Sequence, residues 1–173
     1  MAGLYCDFHS QQEQTTTNML GAMLKQLASR GGIPEHTRKA FRKAKKEFGG
    51  QCLQLPDMVN TFKKTITSLR RLFICIDALD ECAPKHRQEL IKSLREIVQV
   101  SPHARAFLTG RPHIDHEIVR CFSKALRIPL SPTHCDIDSY LEVRLNGDTD
   151  PNAMNTELRV DIKRLFLEKI SER

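Results

Sequence analysis

The chain has 173 residues, of which 40% are hydrophobic and 28% are charged, and its formal net charge is +6. This length favours one domain, and this composition is that of a globular protein, which excludes a disordered chain. No apolar run approaches the roughly 20 residues that span a bilayer, and the N-terminus lacks the basic and long apolar segments of a secretory signal. The sequence therefore predicts a cytoplasmic location and no membrane partner.

The excess positive charge is concentrated in residues 38–46. Such a run could bind nucleic acid or direct nuclear import, but the simpler interpretation is a solvated helix surface. We favour the helix surface, because no recognisable nucleic-acid-binding motif accompanies the run. The six cysteines are scattered, with no C-x-x-C pair and no histidine pair at zinc-ligand spacing, so we expect free thiols rather than a metal site.

Apolar periodicity and the placement of glycine and proline predict an alternation of strands and helices. In chain order, the predicted elements are a strand near 4–8, helices over 15–29, 34–49 and 56–69, a strand over 72–77, a helix over 85–100, a strand over 104–109, a short helix over 114–122, a strand over 126–130, and helices over 136–145 and 156–170.

Strands that alternate with helices argue for an α/β fold with an open, mostly parallel sheet flanked by helices. The continuous apolar run at 72–76 is typical of a strand that is buried on both faces. We expect residues 1–145 to form this domain. Residues 146–173 are predicted to be a surface loop and the start of a further helical region, which gives the chain a helical C-terminal tail.

A cluster of acids, Asp77, Asp80 and Glu81, follows the most apolar strand. A buried strand that ends in a carboxylate is the physical form of a Walker B element. Asp77 would hold a hydrated Mg²⁺, and Asp80 or Glu81 would orient or deprotonate the attacking water. This pattern alone is weak, since many α/β domains end a strand in aspartate.

The next predicted strand ends in Thr109-Gly110-Arg111-Pro112. A cation at this place can contact the γ-phosphate of a nucleotide, and Arg111 has the charge and the reach to do so. The alternative is that Arg111 is a surface cation in a turn.

The segments 73–82 and 107–114 together resemble fungal NACHT proteins, the NOD-like signalling ATPases that carry nephrocystin-3-like N-terminal domains. Residues 5–9 and 131–141 are similar to further parts of that family. The resemblance implies a P-loop NTPase fold and Mg-ATP as the cofactor. It further implies nucleotide contacts from Asp77, Thr109 and Arg111, and catalytic roles for Asp80 and Glu81.

The phosphate-binding motif of that family, G-x-x-x-x-G-K-[ST], does not occur in these 173 residues. By the resemblance it lies upstream of the strand near 4–8, so the first strand of the fold is also missing. We therefore expect a fragment that binds ATP weakly and does not hydrolyse it alone. The alternative is a non-enzymatic interaction fragment, which pairs with full-length relatives through its open sheet or its basic helix.

Overall fold

The computed structural model describes residues 1–32, 34–47, 53–67, 69–147 and 155–171. The described elements, in chain order, are β1 (Ala2–Tyr5), α1 (Thr16–Gly31), α2 (Glu35–Glu47), α3 (Leu55–Thr67), β2 (Leu72–Asp77), α4 (Pro84–Val100), β3 (Ala104–Leu108), α5 (Asp115–Cys121), α6 (His134–Asn146) and α7 (Thr156–Ser171). The expected fold class is confirmed: an open parallel sheet flanked by helices, followed by a helical C-terminal region.

The described strands form one sheet in the order β1-β2-β3, and both pairs are parallel. Tyr5 lies opposite Asp77, and Ile76 lies opposite Leu108, so the carboxyl ends of all three strands meet at one edge. In open α/β sheets this edge is where ligands bind.

One face of the sheet is buried and the other is not. Leu72, Ile74 and Ile76 are at most 2% exposed and belong to the main core, whereas Phe73 is 40% exposed. The prediction that this strand is buried on both faces was therefore wrong. The helices that contact the core bury only the alternate residues, because successive side chains of a strand point to opposite faces.

Two helices begin at residues that are suited to a helix N-terminus. The Thr15 side chain accepts a hydrogen bond from the Asn18 N–H at the start of α1, and Pro84 occupies the first turn of α4. Both arrangements satisfy or remove backbone donors that a helix start leaves free. The apolar faces of α1, α3 and α4 then pack together, with Phe62 of α3 fully buried among them.

Strand β1 begins and ends earlier than predicted, at residues 2–5 instead of near 4–8. The Asp7 side chain accepts a hydrogen bond from the His9 N–H at 3.0 Å and caps a short 3-10 turn over Phe8–Ser10. This hydrogen bond stabilises a turn in place of an extended backbone, so the strand ends before Asp7.

The chain divides into two compact units, Met1–Ala125 and Leu126–Arg173, a boundary earlier than the one predicted after residue 145. The second unit contains α6 and α7, which pack through Ile137, Leu141 and Leu145. A capping box between Thr133 and Asp136 begins α6. Residues 148–154, most of the predicted loop, lie outside the described residues.

The strand predicted over 126–130 is absent: these residues have no regular secondary structure. Leu126, Ile128 and Leu130 alternate as in a strand, but they are 86%, 71% and 85% exposed. Alternation stabilises a strand only where a neighbouring strand and a covering layer are present, and Pro129 offers no N–H to a ladder. Within the described part of the chain, no helix is long and apolar enough to cross a membrane.

Candidate functional site

Asp77 and Thr109 lie at the carboxyl ends of β2 and β3 and are joined to each other. The Thr109 hydroxyl donates a hydrogen bond to Asp77 Oδ1 and accepts one from the Ala78 N–H at 3.0 Å. The Thr109 N–H donates to the Ile76 carbonyl at 2.9 Å, and the Leu79 N–H donates to the Thr109 carbonyl at 2.9 Å. These bonds fix the two strand ends against each other, and Asp77 remains exposed.

The chain turns sharply after Asp77. Ala78 has a φ of 54°, in the left-handed region that costs a residue with a Cβ about 1–2 kcal/mol. Leu79 is fully buried, and a 3-10 turn over Leu79–Glu81 follows. Burial of Leu79 offsets this strain, so the turn holds residues 77–81, which we call the acidic segment, at the edge of the sheet.

Arg111 pairs with the two acids that end this segment. Its Nε lies 3.4 Å from Asp80 Oδ2, and its Nη2 lies 3.9 Å from Glu81 Oε1. The Arg111 N–H also donates to Asp80 Oδ1 at 3.2 Å. The Asp80 side chain is 7% exposed and that of Arg111 is 73% exposed, so the arginine covers the acid while remaining open to solvent.

Glu81 connects the acidic segment to the chain after β1. Its Oε2 accepts a hydrogen bond from the Phe8 N–H at 3.0 Å, and its backbone carbonyl accepts one from Gln11 Nε2 at 2.7 Å. In this arrangement both Asp80 and Glu81 have partners.

Gly110 allows the close approach between Thr109 and Arg111 on one side and the acidic segment on the other. A Cβ at this position would lie 2.7 Å from Ile114 Cδ1 and 3.4 Å from Asp80 Oδ1. A larger residue at position 110 would therefore clash with Ile114 and crowd Asp80.

Sequence reasoning missed a buried ion pair behind the acidic segment. Arg87 Nη2 and Nε donate to the two carboxylate oxygens of Glu117 at 2.6 and 3.1 Å, and the two side chains are 8% and 10% exposed. Arg87 Nη1 donates to the backbone carbonyls of Asp80 at 3.3 Å and Cys82 at 3.1 Å. The bonds with Glu117 raise the pKa of Arg87, and the bonds with Arg87 lower the pKa of Glu117.

A signal for this pair was present in the sequence. Arg87 lies three and four residues before Leu90 and Ile91, on the apolar face of α4. A charged side chain on such a face requires a buried partner. The identity of that partner, Glu117, depends on the packing of α5 against α4, which the pattern does not reveal.

The donor set fits a magnesium ion only in part. Asp77 supplies an exposed carboxylate, and Thr109 supplies a hydroxyl beside it. Among the described residues there is no group of three or more histidine, cysteine, aspartate or glutamate side chains that could hold a metal. Mg²⁺ at Asp77 would thus take its other ligands from water and phosphate, as it commonly does.

A cavity of about 810 Å³ lies elsewhere in the first unit, between α1 and α2. Its wall is largely apolar, with Leu24, Phe41 and Met58 among the lining residues, and Arg42 and Lys45 also line it. The acidic segment, Thr109 and Arg111 do not line this cavity. It is therefore separate from the polar cluster at the sheet edge.

The structure brings all five predicted site residues, Asp77, Asp80, Glu81, Thr109 and Arg111, to the same sheet edge through the contacts given above. No curated protein and no solved structure matches the chain. The family model described as "Nephrocystin 3, N-terminal" matches residues 1–111, a range that includes these five residues. The chain belongs to the nephrocystin 3 N-terminal family.

Proposed function

We propose that the first unit is part of a NACHT-type nucleotide-binding domain, from a signalling P-loop ATPase of the fungal kind. One observation carries this proposal. Asp77 and Thr109 end two adjacent parallel strands and are hydrogen-bonded to each other, with Arg111 beside the same acidic segment. A carboxylate, a hydroxyl and a guanidinium at the ligand-binding edge of a parallel sheet are suited to a metal–phosphate group.

Each site residue has a role in this proposal. Asp77 acts as the Walker B carboxylate that holds hydrated Mg²⁺, while Thr109 and Arg111 contact phosphate. Asp80 and Glu81 orient the attacking water. A bound Mg²⁺ would neutralise charge on the phosphates. Because Arg111 pairs with both acids in this structure, a phosphate would have to compete with them for the guanidinium.

The proposal does not include independent ATP hydrolysis by these 173 residues. They contain no G-x-x-x-x-G-K-[ST] motif, whose backbone amides and lysine supply most of the phosphate contacts in P-loop proteins. One carboxylate with one hydroxyl makes a weak site, so we expect ATP to bind this chain poorly.

A cytoplasmic location is part of the same proposal. The described cysteines are free thiols, which is the usual state of cysteine in the reducing cytoplasm.

Thermal unfolding with and without Mg-ATP, followed by a phosphate-release assay, tests this proposal. If the dissociation constant is near or above the ligand concentration, about 5 mM Mg-ATP raises the melting temperature by less than about 2 °C. Phosphate release should equal that of a blank. A rise of several degrees would contradict weak binding. Release that Glu81→Gln abolishes would contradict the absence of turnover.

A second function is favoured by exposed aromatic residues on one face of the sheet. Tyr5, Phe73 and Phe107 are 70%, 40% and 57% exposed, and the rings of Phe73 and Phe107 are 6.2 Å apart. Parallel sheets are ordinarily covered on both faces, so exposed aromatic residues here suit a protein partner. We infer that the chain can also act as a non-enzymatic interaction fragment through this face.

Sedimentation velocity over a range of concentrations tests the interaction function. We expect the wild-type chain to self-associate, and Phe107→Lys to reduce association by placing a charge on the sheet face. Tyr140→Lys is the control, because Tyr140 is equally exposed but lies on α6. A wild-type chain that stays monomeric, or equal effects of the two variants, would contradict self-association through the sheet.

A further inference from the structure

Two buried thiols lie side by side behind the acidic segment. Cys6 follows β1 and Cys82 follows the 3-10 turn, and their Sγ atoms are 3.0 Å apart in a hydrogen bond. Each residue is 1% exposed. The Cys6 N–H donates to the Asp77 carbonyl at 3.0 Å, which fixes Cys6 to the end of β2.

This separation requires little movement for a covalent bond to form. A disulfide has an S–S length of about 2.05 Å, so the two sulfur atoms would have to approach by about 1 Å. The other polar or sulfur atoms near Cys82 Sγ are farther away, with Gln14 Oε1 at 3.6 Å and Met19 Sδ at 3.7 Å. Cys6 is therefore the nearest of these partners to Cys82.

A positive charge lies beside Cys82. Arg87 Nη1 donates a hydrogen bond to the Cys82 carbonyl at 3.1 Å. The hydrogen bond with Cys6 and the charge of Arg87 lower the pKa of the Cys82 thiol, while burial opposes them. A cation next to a thiol favours the thiolate, which is the form that reacts with oxidants, so we assign the first attack to Cys82.

We propose that Cys6 and Cys82 form a reversible disulfide when the protein meets a peroxide. The Cys82 thiolate attacks one oxygen of hydrogen peroxide, giving a sulfenic acid and hydroxide. The Cys6 sulfur then attacks the sulfenic sulfur, and its proton leaves with the hydroxyl group as water. In total, two thiols lose two electrons and two protons, and one peroxide becomes two waters.

The bond would connect segments that are far apart in sequence. Cys6 and Cys82 are separated by 76 positions, and the link would join the end of β1 to the residue after Glu81. Closing so long a loop restricts the unfolded chain, and the stabilisation expected from loop length raises the melting temperature by roughly 5–15 °C. Oxidation would also hold the acidic segment against β1, whatever ligand that segment binds.

Mass spectrometry after treatment with hydrogen peroxide tests the proposal. The remaining thiols are alkylated, and the protein is digested and mapped. We expect an intramolecular link between the peptides containing Cys6 and Cys82, reversible by dithiothreitol. Cys82→Ser and Cys6→Ser should each abolish it. Cys135→Ser is the control and should leave it intact, because Cys135 is exposed and lies in the second unit.

Both thiols are 1% exposed, so a second measurement gives the oxidant access to them before the core has formed. The unfolded, reduced chain is refolded in a mixture of reduced and oxidised glutathione, which reaches both thiols before they are enclosed. We expect the same link, with a higher melting temperature than the reduced chain. The absence of the link after peroxide treatment would overturn the proposal. So would a refolded protein in which Cys6 and Cys82 are both alkylated or are joined to other cysteines.

Discussion

Replacing Arg87 with methionine should destabilise the first unit far more than replacing an exposed cation. The guanidinium is 8% exposed and makes two hydrogen bonds with Glu117 and two with backbone carbonyls of residues 80 and 82. Methionine keeps the length of the side chain but removes all four. The Glu117 carboxylate, itself 10% exposed, would then be buried without its partner.

The expected loss follows from that isolated charge. Removing one partner of a buried ion pair costs about 3–5 kcal/mol, a large share of the roughly 5–15 kcal/mol that stabilises a domain. A double variant with Glu117→Gln should recover part of this loss, because the isolated charge is then removed. The lost carbonyl bonds would keep the double variant below the wild type.

Urea unfolding followed by far-UV circular dichroism measures this difference. Lys63→Met is the matched control, because the Lys63–Glu96 pair has an N–O distance of 2.6 Å but side chains that are 28% and 58% exposed. Such a pair contributes less than about 1 kcal/mol. If Arg87→Met costs no more than Lys63→Met, the buried pair does not stabilise the fold as argued.

The pH dependence of the same measurement has a defined sign. Arg87 lowers the pKa of Glu117 in the folded protein. The pair therefore stabilises the fold above the unfolded-state pKa of glutamate, and this contribution is lost as the pH falls through the lowered value. The difference between wild type and Arg87→Met should be smaller at about pH 3 than at about pH 7. A difference that grows on acidification would contradict this account.

Three further substitutions test the packing, each by the urea midpoint. Gly110→Ala should destabilise the first unit by about 1–3 kcal/mol, because its Cβ would lie 2.7 Å from Ile114 Cδ1. An unchanged midpoint would show that Ile114 can move to accommodate the methyl group. Gly21→Ala should instead stabilise α1 by about 0.5–1 kcal/mol, since its Cβ would lie 3.5 Å from Met58 Cε, and a loss would refute this. Phe62→Ala should lower the free energy of unfolding by about 3–5 kcal/mol, because Phe62 is fully buried. A loss below about 1 kcal/mol would mean that Phe62 is not in a packed core.

The helices and the strands β2 and β3 could be predicted because each depends on local pattern. The spacing of Leu90, Ile91 and Leu94 predicts the buried face of α4, and all three are at most 1% exposed. The clustering of Asp77, Thr109 and Arg111 follows from the parallel order of β2 and β3, which places successive strand ends at the same edge.

What sequence reasoning missed depends on neighbours that are distant along the chain. The segment at 126–130 has the alternation of a strand but no regular secondary structure, because alternation alone does not supply the backbone pairing that a strand requires. The exposure of Phe73 on β2 depends on which helices cover the sheet. Phenylalanine is apolar, so its residue type predicts burial instead. The direction of the Arg111 side chain, toward Asp80 and Glu81, likewise follows from the three-dimensional turn after β3.

We propose that Asp77, Thr109 and Arg111 contact a metal–nucleotide group, and nuclear magnetic resonance tests this contact most directly. Mn²⁺, which like Mg²⁺ prefers oxygen ligands, is added with an excess of ATP, and the broadening of backbone amide signals is mapped. We expect broadening centred on these three residues. It should be lost in Asp77→Asn and retained in the control Asp57→Asn on α3. Broadening that is centred on α2, or that persists unchanged in Asp77→Asn, would contradict the claim.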